Sequence, residues 1–190
     1  NRIRGERSNT MSNLLVQNIK HTNGTTAQTI DSSGNVTESN LEIDQFYLNA
    51  NDTQDGDDNI LTAWTRNNFT GFSKVGTGCS VDSGTFSFPR TGLYKLTYTF
   101  MSYGDSNGDN MTGVLKVTTN NSSYNTVALA LAGGVNHAGA AVAITFVNCT
   151  DTSQVKFRCQ SESMDTDSIT QGNSGNIRTS IIIERVAPAQ

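Results

Sequence analysis

The stretch GTFSFPRTGLYKLTY, residues 84–98, decides the fold class of this chain. Its second half alternates apolar and polar side chains at period two, as a β-strand with one buried face does. Continued by two residues, the strand places four large side chains on that face: Tyr94, Leu96, Tyr98 and Phe100. Pro89 and Gly92 shape a turn to a shorter strand that carries Phe86 and Phe88. The stretch therefore predicts a hairpin whose aromatic face lies in a protein core.

Short strand-like runs separated by turn signals recur on both sides of this hairpin, the pattern of an all-β sandwich or barrel. Only 16% of the residues are charged, and Thr, Ser, Asn and Gly are abundant, which favours strands and tight turns over helices. In the last run Ile181, Ile182 and Ile183 are consecutive, so both faces of that strand are expected to be covered. Strands are predicted near residues 43–49, 60–66, 69–75, 84–88, 92–103, 111–119, 124–131, 140–147, 154–160 and 177–186.

Residues 1–40 differ in composition from residues 41–190 and are predicted to form a separate N-terminal arm. The arm opens with basic residues, continues with a short apolar run and ends in a polar, Gly-punctuated segment. It has too little apolar content for a core of its own, so we expect it to become ordered by docking on another chain. A disordered tail is the alternative. The candidate anchoring residues are Arg2, Arg4, Arg7, Leu14, Leu15, Val16 and Ile19.

The charge balance argues against two classes of partner. A net charge of −4 and a pI of about 5.0 do not suit a surface that binds nucleic acid or an anionic membrane, because both need clustered Lys and Arg. No run of 18 or more apolar residues is present, so no membrane-spanning helix is expected. We therefore predict no nucleic-acid partner and no membrane partner.

The three cysteines, Cys79, Cys149 and Cys159, form an odd set without C-x-x-C spacing. Neither a disulfide framework nor a zinc site is indicated by that arrangement. Buried free thiols are expected. A bridge between Cys149 and Cys159 remains open if the two positions lie on adjacent strands.

The sequence offers little for catalysis. Only His21 and His137 could act as histidine bases, and no nucleophile elbow, phosphate-binding loop or metalloprotease motif is present. A pair of carboxylates that meet only in three dimensions, as in a glycosidase, is the remaining catalytic alternative. We predict no enzymatic activity and no cofactor.

Metal binding is equally weakly indicated. Asp105, Asn107 and Asp109 have the spacing that opens a calcium loop, but the Gly and the closing Glu of an EF-hand are missing. A second acidic group could offer oxygen ligands to a hard cation, although solvated turns are favoured; it comprises Asp52, Asp55, Asp57 and Asp58. We therefore predict no metal site.

The hairpin of residues 84–98 resembles the signature of the globular heads of complement and collagen-like proteins, within the tumour necrosis factor (TNF) jelly-roll superfamily. The likeness extends in layout from Leu61 to Val186. Four positions depart from the family pattern: Asn68, Lys74, Cys79 and Leu96. These departures weaken any inference about a ligand more than they weaken the inference about the fold. The resemblance implies a single jelly-roll β-sandwich of about ten strands, following an extended N-terminal arm, that forms compact trimers around an apolar axis.

A second resemblance lies in the leader MSNLLVQNIKHTNGTTAQTIDSSGNV, residues 11–36, which looks like the opening of virion and fibre proteins of marine phages. In such proteins a leader of this kind attaches a compact tip. The resemblance implies a location on the exterior of a virion, on its capsid or its tail.

Together these features predict a structural bacteriophage virion protein: a trimeric capsid decoration or cement protein, docked through its arm on the major capsid protein or a tail protein. The alternative is the receptor-binding tip of a tail fibre, which recognises a glycan or protein on the host surface. A secreted signalling or glycan-binding head is a third, less favoured class. The residues predicted to lie near the threefold axis are Tyr98, Phe100 and Ile182.

Overall fold

The structure is a computed structural model that describes residues 17–20, 22–24, 26–38, 40–104, 110–134 and 136–190. Contacts within the chain define two units, residues 1–40 and residues 41–190. All regular structure in the described residues is β-strand. Those residues contain no helix long and apolar enough to cross a membrane.

The N-terminal unit contains a three-stranded antiparallel sheet in the order β1-β2-β3. Its strands are β1 (Asn18–Lys20), β2 (Thr26–Ile30) and β3 (Val36–Glu38). Asp31 organises the turn between β2 and β3, because its Oδ1 accepts hydrogen bonds from the backbone N–H of Ser33 and of Asn35, each at 2.9 Å. The segment predicted to be an extended arm therefore contains a local meander, which backbone hydrogen bonds and a polar turn can form without an apolar core.

The larger unit is a sandwich of two six-stranded antiparallel sheets. Sheet I has the order β12-β9-β15-β4-β6, with β14 beside β9, and sheet II has the order β11-β10-β13-β8-β7, with β5 beside β13. The strands are β4 (Ile43–Leu48), β5 (Asn59–Ile60), β6 (Trp64–Arg66), β7 (Ser80–Asp82), β8 (Thr85–Ser87), β9 (Gly92–Gly104), β10 (Thr112–Thr118), β11 (Asn125–Leu131), β12 (His137–Cys149), β13 (Lys156–Glu162), β14 (Ile169–Thr170) and β15 (Ser180–Ala187). This architecture confirms the predicted all-β jelly roll.

The two strands of the predicted hairpin do not pair, because β8 lies in sheet II beside β7 and β13 whereas β9 lies in sheet I. Their aromatic side chains still meet in the core between the sheets, which is built around Phe86. Its ring stacks on Phe157 of the same sheet at a centroid distance of 4.7 Å. Across the sandwich it makes edge contacts with Phe46 at 5.3 Å and with Trp64 at 5.5 Å. Such aromatic contacts add about 0.5–1.5 kcal/mol per pair to the burial of the rings themselves.

The strand predicted at residues 69–75 does not form. A turn closes with the Phe72 N–H bonded to the Phe69 carbonyl at 3.1 Å, and only Val75 makes an isolated bridge, to Ile43. The structure also adds short strands that the sequence pattern did not indicate: β7 and β14 in the larger unit, and β1, β2 and β3 in the N-terminal unit.

Two buried carboxylates at the start of β4 hold the segment that follows this turn. Glu42 Oε2 accepts a hydrogen bond from the Gly78 N–H at 2.9 Å, and Asp44 Oδ2 accepts one from the Cys79 N–H at 2.9 Å. Asp44 Oδ1 also lies 3.1 Å from Arg66 Nε in a salt bridge. These polar contacts tie the segment to sheet I in place of the predicted strand.

Candidate interaction surfaces

A row of large apolar side chains faces solvent along β11, which is one of the edge strands of sheet II. Val127, Leu129 and Leu131 are exposed, and Leu131 retains 66% of its accessible surface. The alanines between them point the other way, since Ala130 is buried and Ala128 packs against the core. The large residues of this strand therefore face outward and the small ones inward.

The edge strand of sheet I repeats this arrangement. Val142, Ile144 and Phe146 of β12 are exposed, Phe146 to 60%, whereas Ala143 and Val147 between and beside them are buried. β11 and β12 contact each other, so the two strands lie along one edge of the sandwich, with one row on the outer face of each sheet. We call these six side chains the edge patch: Val127, Leu129, Leu131, Val142, Ile144 and Phe146.

The outer face of sheet I continues from the edge patch across three strands. Backbone pairing sets Ile144 opposite Thr97 of β9, and Thr97 opposite Ile182 of β15. Ile182 keeps part of its surface exposed, unlike its neighbours Ile181 and Ile183, which are buried. Ile144, Thr97 and Ile182 thus form a row of side chains across the outer face of sheet I, starting at β12.

The predicted threefold-axis residues fall on opposite faces of sheet I. Tyr98 and Phe100 have no exposed surface and belong to the core between the sheets, where the Tyr98 hydroxyl donates to the Gln160 carbonyl at 3.3 Å. A side chain with no exposed surface in one chain has none to offer a second copy, so these two assignments are corrected to core residues. Of the three, only Ile182 lies on the outer face.

The edge patch was missed at the sequence level because its strands read as continuous apolar runs. Its signal is a size alternation, with a large residue at every second position and a small one between, as in VALAL at 127–131 and AVAITF at 141–146. A period-two pattern identifies residues that share a face of the sheet. Here only the difference in size between alternate residues indicates that the large side chains face outward.

The arm candidates fall mostly outside the described residues, namely Arg2, Arg4, Arg7, Leu14, Leu15 and Val16. Ile19 is described, and it lies on β1 with 47% of its surface exposed. Val36 at the start of β3 is exposed as well. The described part of the N-terminal unit therefore presents two apolar side chains to solvent.

Among the residues that the structure describes, the candidates for catalysis and metal binding do not form a cluster able to hold a metal ion. His137 begins β12, while His21, Asp105, Asn107 and Asp109 lie outside the described residues. Three of the remaining acids contact other protein groups: Asp52 Oδ1 accepts the Gln54 N–H at 3.1 Å, Asp57 Oδ1 accepts the Ser163 N–H at 2.8 Å, and Asp58 pairs with Lys116. No group of three or more His, Cys, Asp or Glu in the described part of the chain is placed to hold a metal ion.

All three cysteines are buried and unpaired. Cys149 lies on sheet I and Cys159 on sheet II, so the bridge left open by the sequence does not form. Burial raises the pKa of the Cys149 thiol to about 11. It also raises the pKa of Cys159, and that of Cys79, where the nearby carboxylates of Asp44 and Glu42 add to the effect.

We expect the native protein to react slowly with thiol reagents, because the thiolate is the reactive form and all three thiols are both buried and hard to ionise. Titration with a chromogenic disulfide reagent at about pH 8 should show little rapid reaction. In guanidinium chloride, the same titration should count three thiols per chain. Fast reaction of a native thiol would place that cysteine at the surface and contradict the fold around it.

Among solved structures the fold is similar to murine APRIL and to Eiger TNF from S. frugiperda. Murine APRIL at pH 8.5 superimposes with a TM-score of 0.56 at 8% sequence identity, over 77% of this chain and 99% of APRIL. Eiger TNF superimposes with a TM-score of 0.53 at 15% identity, over 79% of this chain and 95% of Eiger. No family model and no curated protein sequence matches the chain. The jelly roll is therefore TNF-like in fold. At sequence identities this low, the similarity establishes the fold and nothing about function.

Proposed function

We propose that this chain is a non-enzymatic structural protein of a bacteriophage virion, a homotrimeric jelly-roll head that decorates the particle surface and docks through residues 1–40. The observation that carries the proposal is the edge patch. Large exposed apolar surfaces on soluble proteins usually mark protein interfaces. Two rows of three exposed apolar residues, one on each of two contacting edge strands, favour burial against further copies of the chain.

The position of the patch supports a closed ring. A patch at one edge of the sandwich that packs on a sheet face of the next copy makes a head-to-tail contact, and head-to-tail contacts close into a ring when the rotation between copies permits. The outer face of sheet I, where Ile182 and Thr97 lie, is the matching surface on the neighbouring copy. The TNF-like fold, with the trimers that this resemblance implies, favours three copies.

The same contact would protect the strand edges. β11 and β12 are edge strands, and β12 runs for 13 residues from His137 to Cys149. A long edge strand with an apolar outer face invites uncontrolled pairing unless something covers it. A neighbouring copy seated on this edge supplies that cover.

The N-terminal unit supports the anchoring part of the proposal. Residues 1–40 form a unit of their own by internal contacts, and Ile19 and Val36 in it are exposed. The virion location rests on the resemblance of residues 11–36 to phage virion and fibre proteins. On a capsid, a trimer docked in this way would add intersubunit burial and so stabilise the shell.

Deleting residues 1–40 should leave the jelly roll folded and associated but release it from the particle, because the anchoring contacts lie in the deleted unit. The truncated and full-length proteins should show matching thermal transitions for the jelly roll. Only the full-length protein should then co-sediment with virions that lack this chain. Equal co-sedimentation of the truncated head would contradict arm-mediated anchoring.

Electron microscopy of intact particles separates decoration from the alternative role at a tail tip. Density for the jelly roll at a copy number near that of the major capsid protein supports decoration. A few trimers at the end of the tail support receptor binding instead. Particles with neither would contradict a virion role.

A further inference from the structure

A polar cavity of about 360 Å³ opens on the outer face of sheet II, away from the core. Its floor is formed by two rows of side chains that backbone pairing sets side by side. Ser87 of β8 lies opposite Lys156 of β13, and Thr85 lies opposite Arg158. Because alternate residues of a strand share a face, Lys156 and Arg158 project from the same side of β13.

The wall of the cavity comes from the connection between β10 and β11, which contributes Asn121 and Tyr124. This connection is fixed before any ligand arrives. The side-chain oxygen of Asn120 accepts hydrogen bonds from the N–H groups of Ser122 at 3.0 Å and Ser123 at 2.9 Å. The Asn121 N–H donates to the Gln154 carbonyl, also at 2.9 Å. A wall held in this way limits the ordering cost of binding.

Arg158 is held in position but its charge is not neutralised. Its Nε donates to Thr85 Oγ1 at 2.9 Å, and its guanidinium lies 3.9 Å from the centroid of the Tyr124 ring. Within the described part of the chain, neither Arg158 nor Lys156 forms a salt bridge, whereas Lys116 on the next strand pairs with both Asp58 and Glu162. Two cationic groups therefore line one concave site on a chain whose net charge is −4.

The rest of the lining is uncharged and rich in hydrogen-bonding groups, apart from one carboxylate. Hydroxyls come from Ser83, Thr85 and Ser87, and an amide comes from Asn121. The carboxylate belongs to Asp82, which accepts a hydrogen bond from the neighbouring Ser83 hydroxyl at 3.2 Å. Such a lining suits a ligand with many hydroxyl groups and one negative charge better than a polyanion, which the carboxylate would repel.

We propose that this cavity binds an acidic sugar residue, with the sugar carboxylate on Lys156 and Arg158 and the sugar hydroxyls on the Ser, Thr and Asn side chains. A guanidinium pairs well with a carboxylate through two parallel hydrogen bonds, and the Thr85 hydrogen bond to Nε and the nearby Tyr124 ring hold the Arg158 guanidinium in place. The site is formed within one jelly roll, so it depends neither on the trimer nor on the anchoring arm. Through this cavity the jelly roll would bind a cell-surface polysaccharide that contains acidic sugars.

The test uses the full chain and short oligomers of galacturonic acid and of glucuronic acid as probes, observed by saturation-transfer NMR and calorimetry. Neutral galactose and glucose oligomers of the same length, and inorganic phosphate, serve as comparison ligands. We expect at least one uronic acid oligomer to bind measurably more tightly than its neutral counterpart and than phosphate. Binding of phosphate as tightly as the uronic acids would show a plain anion site, and no uronic acid binding at all would also overturn the proposal.

Variants then place the binding in the cavity. Lys156→Gln should weaken uronic acid binding by about tenfold, the loss expected for one charge-assisted hydrogen bond, and Arg158→Gln should weaken it at least as much because two hydrogen bonds are lost. Lys95→Gln removes the same charge from sheet I, where the lysine pairs with Glu184, and should leave binding unchanged. Thermal melting verifies that each variant is folded, and Lys156→Gln provides the test if loss of the Arg158–Thr85 bond destabilises the fold. Unchanged affinity in the folded Lys156→Gln protein would contradict the assignment.

Discussion

Replacing Ile144 and Phe146 together with glutamate should convert the proposed trimer into monomers that keep the jelly-roll fold. Both side chains are exposed in the single chain, so the substitution does not disturb its core. In the proposed contact each would be buried, at a gain of about 1.5–3 kcal/mol, and a buried unpaired carboxylate adds a further cost. The contact should therefore weaken by more than about 3 kcal/mol, or over a hundredfold in affinity.

Light scattering coupled to size-exclusion chromatography gives the mass of the variant, and thermal melting gives its stability. Ile177→Glu is the matched control, since Ile177 is an exposed isoleucine in a loop outside the edge patch. The control should keep the mass of the unmodified protein. A double variant that still elutes as a trimer would remove the edge patch from the interface.

Asp44→Ala should be among the most destabilising single substitutions in the chain, with a loss of about 3 kcal/mol in the free energy of unfolding. Asp44 is 1% exposed, and its removal leaves the buried Cys79 N–H without its acceptor and Arg66 without its carboxylate. The loss is at the low end of the range for a broken buried ion pair, because the Arg66 side chain is 38% exposed and water partly replaces its partner.

Guanidinium denaturation measures the change in the free energy of unfolding, and two further variants serve as comparisons. Asp44→Asn keeps an oxygen that can accept the Cys79 N–H and should be less damaging than the alanine variant. Glu184→Ala breaks the half-exposed pair with Lys95 and should cost less than about 1 kcal/mol. The alanine variant should also make the Cys79 thiol more reactive, because the backbone at Cys79 loses its tether. A loss below that of Glu184→Ala would contradict the anchoring role of Asp44.

The core of the fold could be predicted from residues 84–98 because alternation along one strand is a local signal. It placed Tyr94, Leu96, Tyr98 and Phe100 on one face, and all four are fully buried. What alternation does not reveal is whether such a face meets another sheet of the same chain or a second chain. For that reason the alternation alone predicts a subunit contact for Tyr98 and Phe100, although both fill the intramolecular core.

Features that depend on distant pairs could not be predicted from local patterns. The segment 69–75 carries strand-forming residues, yet Glu42 and Asp44 hold the chain that follows it as a loop. The cavity on sheet II likewise depends on pairing between β8 and β13, which brings Thr85 beside Arg158, 73 positions later in the chain. Neither arrangement leaves a periodic trace in the sequence.

The mass of the full-length protein in solution tests self-assembly, the central claim, most directly. Sedimentation equilibrium at micromolar concentration should give three times the chain mass of 20.4 kDa. The edge patch and the outer face of sheet I would then be covered by neighbouring copies, as an apolar surface of this kind requires. A stable species of 20.4 kDa under the same conditions would contradict the account.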